Sequence, residues 1–286
     1  MRSKIFFVLL AILAHAAPVL EQRPIFPGFV SGDAFRAYSD HVYDSFDQLL
    51  ASAVKAGDTI FVQANLLASF FNKIHPRISH PYILISHNDD ISVPGALKAL
   101  LDDPKLIAWF GENYDGYPHP KMHPIPMGIA NFNFPYGNVE AILKNRHAPK
   151  THLVHMSFTL QTDFKLRRPL YVQFCNQSFV HLTGRMPFED YLPHVAASKF
   201  ALAPSGKAPD TWRLWECLYL GTIPIVTTSA LDSLYEGLPI LIIKDWKEIT
   251  EDFLNQKYLE LTNNPLLTQE KLTMEYWAKL IDSYKE

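Results

Sequence analysis

The residues best placed to do chemistry lie in one segment, SKFALAPSGKAPDTWRLWECLYLGTIPIV, residues 198 to 226. Ser205 and Gly206 precede Lys207 in a short loop, and Thr211, Arg213 and Glu216 follow in a run with helical spacing. A small residue and a glycine let the backbone approach a ligand closely. Where such a loop opens a helix, the free N–H groups and partial positive charge favour an anion. Lys207 and Arg213 would hold two phosphates, Arg213 in a bidentate grip. Glu216, three residues on and so on the same face, would accept hydrogen bonds from ribose hydroxyls. Taken singly, an Arg-x-x-Glu pair more often marks a surface ion pair of well under about 1 kcal/mol. The whole set on a strand–loop–helix–strand frame points instead to a phosphate and ribose site.

A second group lies in the N-terminal half. YILISH, residues 82 to 87, ends at His87 and is followed by Asn88, Asp89 and Asp90. Polar groups just past the carboxyl end of a strand are candidates for proton transfer, and His87 has suitable ordinary acidity. The same residues also suit an Asx turn or helix cap before Val93-Pro94. Asn113 and Tyr114 follow another apolar run, KLIAWF, and are candidates to bind an acceptor. No metal is expected. There is no His-Glu-x-x-His and no cysteine cluster, and Asp89-Asp90 is adjacent rather than spaced as Asp-x-Asp.

The elements that must position these groups read as alternating helices and strands. Helical spacing is expected over residues 44–55, 66–74 and 94–101, with strands over 59–63, 82–87, 105–110 and 122–129. After a turn-rich stretch, NFNFPYG, and the break at Ala148-Pro149, the alternation restarts. Strands are expected at 152–156, 179–182, 200–203, 223–227 and 238–243, with helices between them and two more at the end. Pro209 is expected in the first turn of the helix carrying Arg213. The fold class is therefore α/β, with two Rossmann-like parallel-sheet lobes facing a cleft and helices on both faces of each sheet. We divide the chain into residues 1–16, 17–148, 149–265 and 266–286, the last stretch a helix able to cross back to the first lobe.

Residues 1–16 read as a secretory signal. Arg2 and Lys4 precede an apolar run, residues 5 to 14, and Ala14-His15-Ala16 supplies the small-residue cleavage pattern. This implies a secretory lumen, periplasm or the exterior. The mature chain would have no membrane span. Cys175 and Cys217 read as free thiols rather than a pair. With 26 basic against 29 acidic residues there is no general attraction to nucleic acid, so any anion site is local.

The segment around Lys207 resembles the nucleotide-sugar-binding part of exostosin-type glycosyltransferases. The resemblance rests on Pro204, Gly206, Lys207, Thr211, Trp212, Arg213, Glu216, Gly221, Ile223 and Pro224, and on LPILIIKDWKEIT downstream. It covers residues 150–260 well and the N-terminal half only loosely. Relatives carry Arg where Lys207 stands, which keeps the charge but loses the planar fork. The resemblance implies a two-lobed GT-B fold. It implies transfer of a sugar from a nucleotide donor, usually UDP-linked, to a hydroxyl of a glycan or glycoconjugate, without a bound metal or cofactor. Two other readings fit parts of the pattern: an exported two-lobed solute-binding protein, and an inactive relative acting as a partner subunit.

Overall fold

The computed structural model describes residues 28–285, and the expected signal sequence lies outside them. The first unit contains α1 (Gly32–Tyr38), β1 (His41–Tyr43), β2 (Thr59–Gln63), α2 (Leu67–Lys73), β3 (Tyr82–His87), β4 (Leu106–Gly111), β5 (Met122–Pro124) and α3 (Val139–Asn145). Its five strands are all parallel and lie in chain order, β1-β2-β3-β4-β5. The second unit contains β6 (His152–Met156), α4 (Phe164–Phe174), β7 (Val180–Leu182), α5 (Phe188–Ala196), β8 (Ser198–Leu202), α6 (Trp212–Tyr219), β9 (Ile223–Thr227), α7 (Asp232–Tyr235) and β10 (Leu241–Ile243). Its sheet is also parallel, ordered β10-β9-β8-β6-β7. Two more helices follow, α8 (Glu251–Thr262) and α9 (Met274–Asp282). The fold class is the one read from sequence: α/β, built on two parallel sheets.

The two sheets are covered differently, and the strand order explains why. Parallel crossovers share one hand, so a sheet that grows steadily in one direction places all its connections on one face. On that face Ile60, Val62, Leu84 and Trp109 pack with Leu49, Val54, Phe70, Phe71 and Leu101 from the connections. The opposite face shows Phe61, Ile83, Ile85 and Phe110, and no crossover covers it. It is closed instead by α1 and by α9 returning from the far end of the chain. Phe35 meets Trp277 at 6.4 Å and Phe110 meets Tyr284 at 5.4 Å between ring centroids. This corrects the expectation of crossover helices on both faces of the first sheet. The second sheet does have them. Phe200, Leu202 and Ile225 pack against Leu170 and Phe174 of α4 and Leu254 of α8. Ala201 and Ala203 face Leu192 and Val195 of α5 and Leu214 and Leu218 of α6. That layer is continuous with the α1–α9 layer, so the two sheets share one apolar core.

Several local expectations are corrected. Residues 44–55 are not a helix and contain only a 3₁₀ turn at Ala51–Ala53. Asp44 holds this stretch in a turn: its Oδ1 accepts from the Phe46 and Asp47 N–H groups and its Oδ2 from Arg36. Such side-chain-to-backbone bonds compete with the helix. The expected strand at 122–129 shrinks to β5, since Pro124 and Pro126 cannot donate to a ladder. The helix expected at 94–101 is 3₁₀. Cys175 and Cys217 are both free, the first half-buried and the second buried. Among the described residues no helix is long and apolar enough to cross a membrane.

Candidate functional site

In the second sheet the chain leaves β6 towards β7 on one side and returns to β8 on the other. Loops after β6 and β8 therefore diverge, and a crevice opens beyond the carboxyl ends of the strands. A cleft of about 1450 Å³ lies there. Its walls are residues 157–162 after β6, residues 183–187 after β7, and the first turns of α5 and α6, with Pro135 and Tyr136 reaching in from the loop before α3. The first sheet, ordered β1-β2-β3-β4-β5, has no such reversal among the described residues.

α6 presents Thr211, Arg213 and Glu216 to this cleft. The helix starts at Trp212 rather than Pro209, which lies in the preceding loop. It is held by two deep anchors. Trp215 donates its Nε1 to Asp210, and the Tyr219 hydroxyl donates to Leu272 O while accepting from Val30 N. Asp210 is enclosed, and its carboxylate also accepts from Met127 N and Thr211 N at 2.8 Å each. Burial pushes its pKa up to about 6 in spite of these bonds. The carboxylate thus ties the loop entering α6 to the first unit.

Arg213 lies with its guanidinium 5.1 Å from the centre of the Tyr191 ring, and its Nη1 is buried without a hydrogen-bond partner. The Tyr191 hydroxyl is also buried with no formed hydrogen bond. His155 on β6 sits behind them, 5.6 Å from the Tyr191 ring, with Nε2 on the Thr183 hydroxyl and Nδ1 unpartnered. Buried polar side-chain atoms are normally satisfied. Half of the six exceptions among the described residues gather at this spot. Burial, aided by the Arg213 charge and neighbouring histidines, holds the His155 pKa down to about 2, so the ring is neutral. Glu216 is 5% exposed, and burial pushes its carboxyl up to about 7 although Arg213 and Tyr191 oppose the shift.

A second cation, Arg167 from α4, lines the same cleft. Its Nε donates to Ser205 O at 2.8 Å, its Nη1 to Thr159 O and its Nη2 to Pro204 O, both at 2.9 Å. It thereby clamps the loop after β6 to the loop after β8. Burial and the neighbouring Arg213 lower its pKa to about 10. Among the described residues neither arginine is in an ion pair. Arg167 was not singled out from sequence, where it is one of a basic pair inside an amphipathic helix. Its only trace there is indirect: a Cβ at Gly206 would stand 3.1 Å from Arg167 Nη2, so the glycine makes room for the guanidinium.

The other sequence candidates sit elsewhere. Ser205, Gly206 and Lys207 do not line the cleft, and Lys207 is exposed to solvent. His87, Asp89, Asp90, Asn113 and Tyr114 do not line the cleft either. His87 is enclosed, with Nε2 on Pro126 O and Nδ1 at 3.0 Å from both Glu112 and Asn88. Burial acts against its charge, but Glu112 and these hydrogen bonds prevail and raise its pKa. Asn88 is pressed against Gly32 of α1, where a Cβ would overlap its side-chain oxygen. Asp89 is half-buried, its pKa raised by burial and by Asp90, which is exposed. Asn113 donates to Asp89 O from a left-handed backbone, and the Tyr114 hydroxyl donates to Tyr117 O. These bonds organise the end of the first sheet under α1, where Asn113 Oδ1 is left buried without a partner.

No family model and no curated protein sequence matches the chain. Solved structures do. An α,α-trehalose-phosphate synthase (UDP-forming) from Burkholderia vietnamiensis superposes with a TM-score of 0.42 at 10% identity, over 81% of this chain and 69% of that one. The pneumococcal O-GlcNAc transferase GtfA, in complex with UDP and GlcNAc, gives 0.39 at 11% identity, over 82% and 58%. An α-glucosyltransferase in complex with UDP-glucose and DNA containing an abasic site gives 0.33 at 12% identity, over 78% and 75%. Such low scores and identities carry nothing about activity.

Proposed function

We propose that the chain is a GT-B-type glycosyltransferase, of exostosin type, whose cleft holds a nucleotide-sugar donor, UDP-linked by preference. The observation that carries this reading is the pair of guanidinium groups at the switch point of the second sheet that form no ion pair among the described residues, one with a buried Nη1 lacking a hydrogen-bond partner. A nucleoside diphosphate supplies the missing negative charge. Arg213 binds it directly, while Arg167 adds positive potential and fixes the loops. Glu216 receives the ribose hydroxyls, as read from sequence. Lys207 keeps at most a screened, long-range influence.

In the reaction an acceptor hydroxyl oxygen bonds to the anomeric carbon of the donor sugar. The bond from that carbon to the diphosphate oxygen breaks, and the nucleoside diphosphate leaves with the electron pair. Its growing charge is met by Arg213, Arg167 and the N-terminus of α6, so no metal is assigned. The acceptor proton passes to a cleft carboxylate. Glu189 and Asp190 on the first turn of α5 line the cleft and replace His87, Asp89 and Asp90 in that role. Export by way of residues 1–16 places the reaction in a secretory lumen, periplasm or the exterior.

Titration calorimetry with UDP tests the reading. Wild type binds, and Arg213→Ala loses a charge-assisted contact of about 1.5–3 kcal/mol, roughly 10- to 150-fold in Kd. Unchanged UDP affinity in a folded Arg213→Ala, Glu216→Ala double variant would end the nucleotide-site reading.

A further inference from the structure

The loop between β5 and α3 carries three solvent-facing aromatic side chains within five residues: Phe132 at 37%, Phe134 at 41% and Tyr136 at 38% exposed. Exposed rings are unremarkable on a mobile loop, but this loop is moored along its length. Asn131 accepts from Asp33 N and donates to Asn88 Oδ1, both at 2.9 Å, and Phe132 N donates to the Asp33 carboxylate. Phe134 N returns to Asn131 O, and Gly137 N to Phe134 O. A Cβ on Gly137 would stand 2.4 Å from Asn131 O, so the chain closes on itself too tightly for any side chain there. Asn138 then caps α3 through Ala141 N and donates to Glu189 of the second unit. A segment fixed at both ends, holding large rings out into water, is organised for contact rather than for the core.

The rings meet the cleft at its mouth. Phe134 lies 5.0 Å and Tyr136 6.2 Å from Trp212, the first residue of α6, at interplanar angles of 53° and 40°. Tyr136 and Trp212 both line the cleft. We propose that Phe134, Tyr136 and Trp212 form the binding shelf for the acceptor, and that the acceptor is a pyranose ring of a glycan chain. This rests on the donor reading given above and adds where its reaction partner sits.

Three arguments select that occupant. The first is direction along α6. Glu216 takes the ribose and Arg213 the diphosphate, so the transferred sugar points to the helix start, and the acceptor hydroxyl must approach beyond it, at Trp212. The second is the angle between the rings. A nucleobase is flat and apolar on both faces and fits a parallel slot. A pyranose has a C–H face that suits the electron-rich face of an aromatic ring, and a rim of hydroxyls that needs polar neighbours. Tilted rings backed by Arg185, Glu189 and Asp190 in the same cleft provide both. The third is origin: two of the three rings, Phe134 and Tyr136, come from the first unit, on the loop at residues 131–137, and meet Trp212 at the start of α6 in the second.

The test is binding by the intact chain to an array of linear oligosaccharides of glucose, xylose, mannose, galactose and N-acetylglucosamine, with UDP affinity measured in parallel by calorimetry. Wild type is expected to bind at least one series. A Phe134→Ala, Tyr136→Ala double variant is expected to lose that binding by roughly tenfold or more, and Tyr136→Phe to retain it, with the UDP Kd unchanged in both. A Phe134→Leu, Tyr136→Leu variant keeps apolar bulk without rings and serves if the alanine variant does not fold. It is expected to lose oligosaccharide binding as well. If UDP affinity falls instead while oligosaccharide binding persists, the rings hold the nucleobase and the proposal is overturned. If wild type binds UDP but none of the oligosaccharides, the shelf is refuted and the donor site stands. If it binds neither, both readings fail.

Discussion

Glu216 is a carboxyl group whose burial outweighs the cation beside it, and its pKa rises to about 7. In the unfolded chain the same group titrates near about 4.3. Between those values the folded protein holds the proton and the unfolded chain has lost it. The group's contribution to stability is therefore complete below about pH 4.3 and lost as pH rises towards 7, on the order of 3 kcal/mol in all. Glu216→Gln keeps the neutral form throughout and should gain on wild type across that window. His155, held neutral by burial, has the opposite effect: its contribution is lost as pH falls below about 6.5. The melting temperature of the variant minus that of wild type, measured from about pH 4.5 to 7.5 without nucleotide, cancels His155 and isolates Glu216. A flat difference would contradict the burial argument. At this scale the sequence was readable where several signals coincide on one short segment. Arg213 and Glu216 reach the cleft because helical spacing places them on one face of α6. Arg167 was hidden because its partners are backbone carbonyls of loops distant in sequence, and no local pattern announces such a contact. His87 lies at the end of a strand in a sheet whose order does not reverse, and it does not line the cleft.

At the scale of elements, α9 completes the first sheet from the other end of the chain. Trp277 is 2% exposed, sits edge-on to Phe35 and donates its Nε1 to Lys271 O. Trp277→Ala should cost about 3–5 kcal/mol, through a cavity against the uncovered sheet face. Chemical denaturation measures it, and a loss below about 1 kcal/mol would mean that α9 merely rests on the surface. Strands such as β2, β3 and β9 were legible because β-branched and aromatic runs bounded by turn residues leave little choice. Residues 44–55 were not. Their apolar spacing is helical, yet Leu49 and Val54 are buried as single plugs under the sheet while Asp44 winds the chain into a turn. Periodicity cannot distinguish a helix from a connection that dips into the core at two points. Likewise β1, three residues long, is a strand only because β2 is there to pair with it.

For the whole molecule, the decisive fact is the single apolar layer running from Phe61 and Phe110 of the first sheet through Phe35 and Trp277 to Leu218 and Ala201 of the second. A boundary near residue 149 is visible in sequence as a restart of α/β alternation, but alternation says nothing about which faces meet. With one core in common, the two sheets should unfold together. Calorimetry is expected to give one transition whose calorimetric and van't Hoff enthalpies agree. Two resolved transitions would show instead that the units are thermodynamically separate.

The same topology bears on how the chain is made. Residues 59–111 leave the ribosome with one sheet face already covered by their own connections, while the other face, with only α1 already made to lie on it, must wait for residues 274–282 to be closed. During that interval Phe61, Ile83, Ile85 and Phe110 present a sticky surface on a nascent chain. The first half therefore cannot mature ahead of the second, as successive domains ordinarily do in vectorial synthesis. It must be sheltered, by holdase chaperones or by the emerging second unit, until translation delivers the helix that seals it.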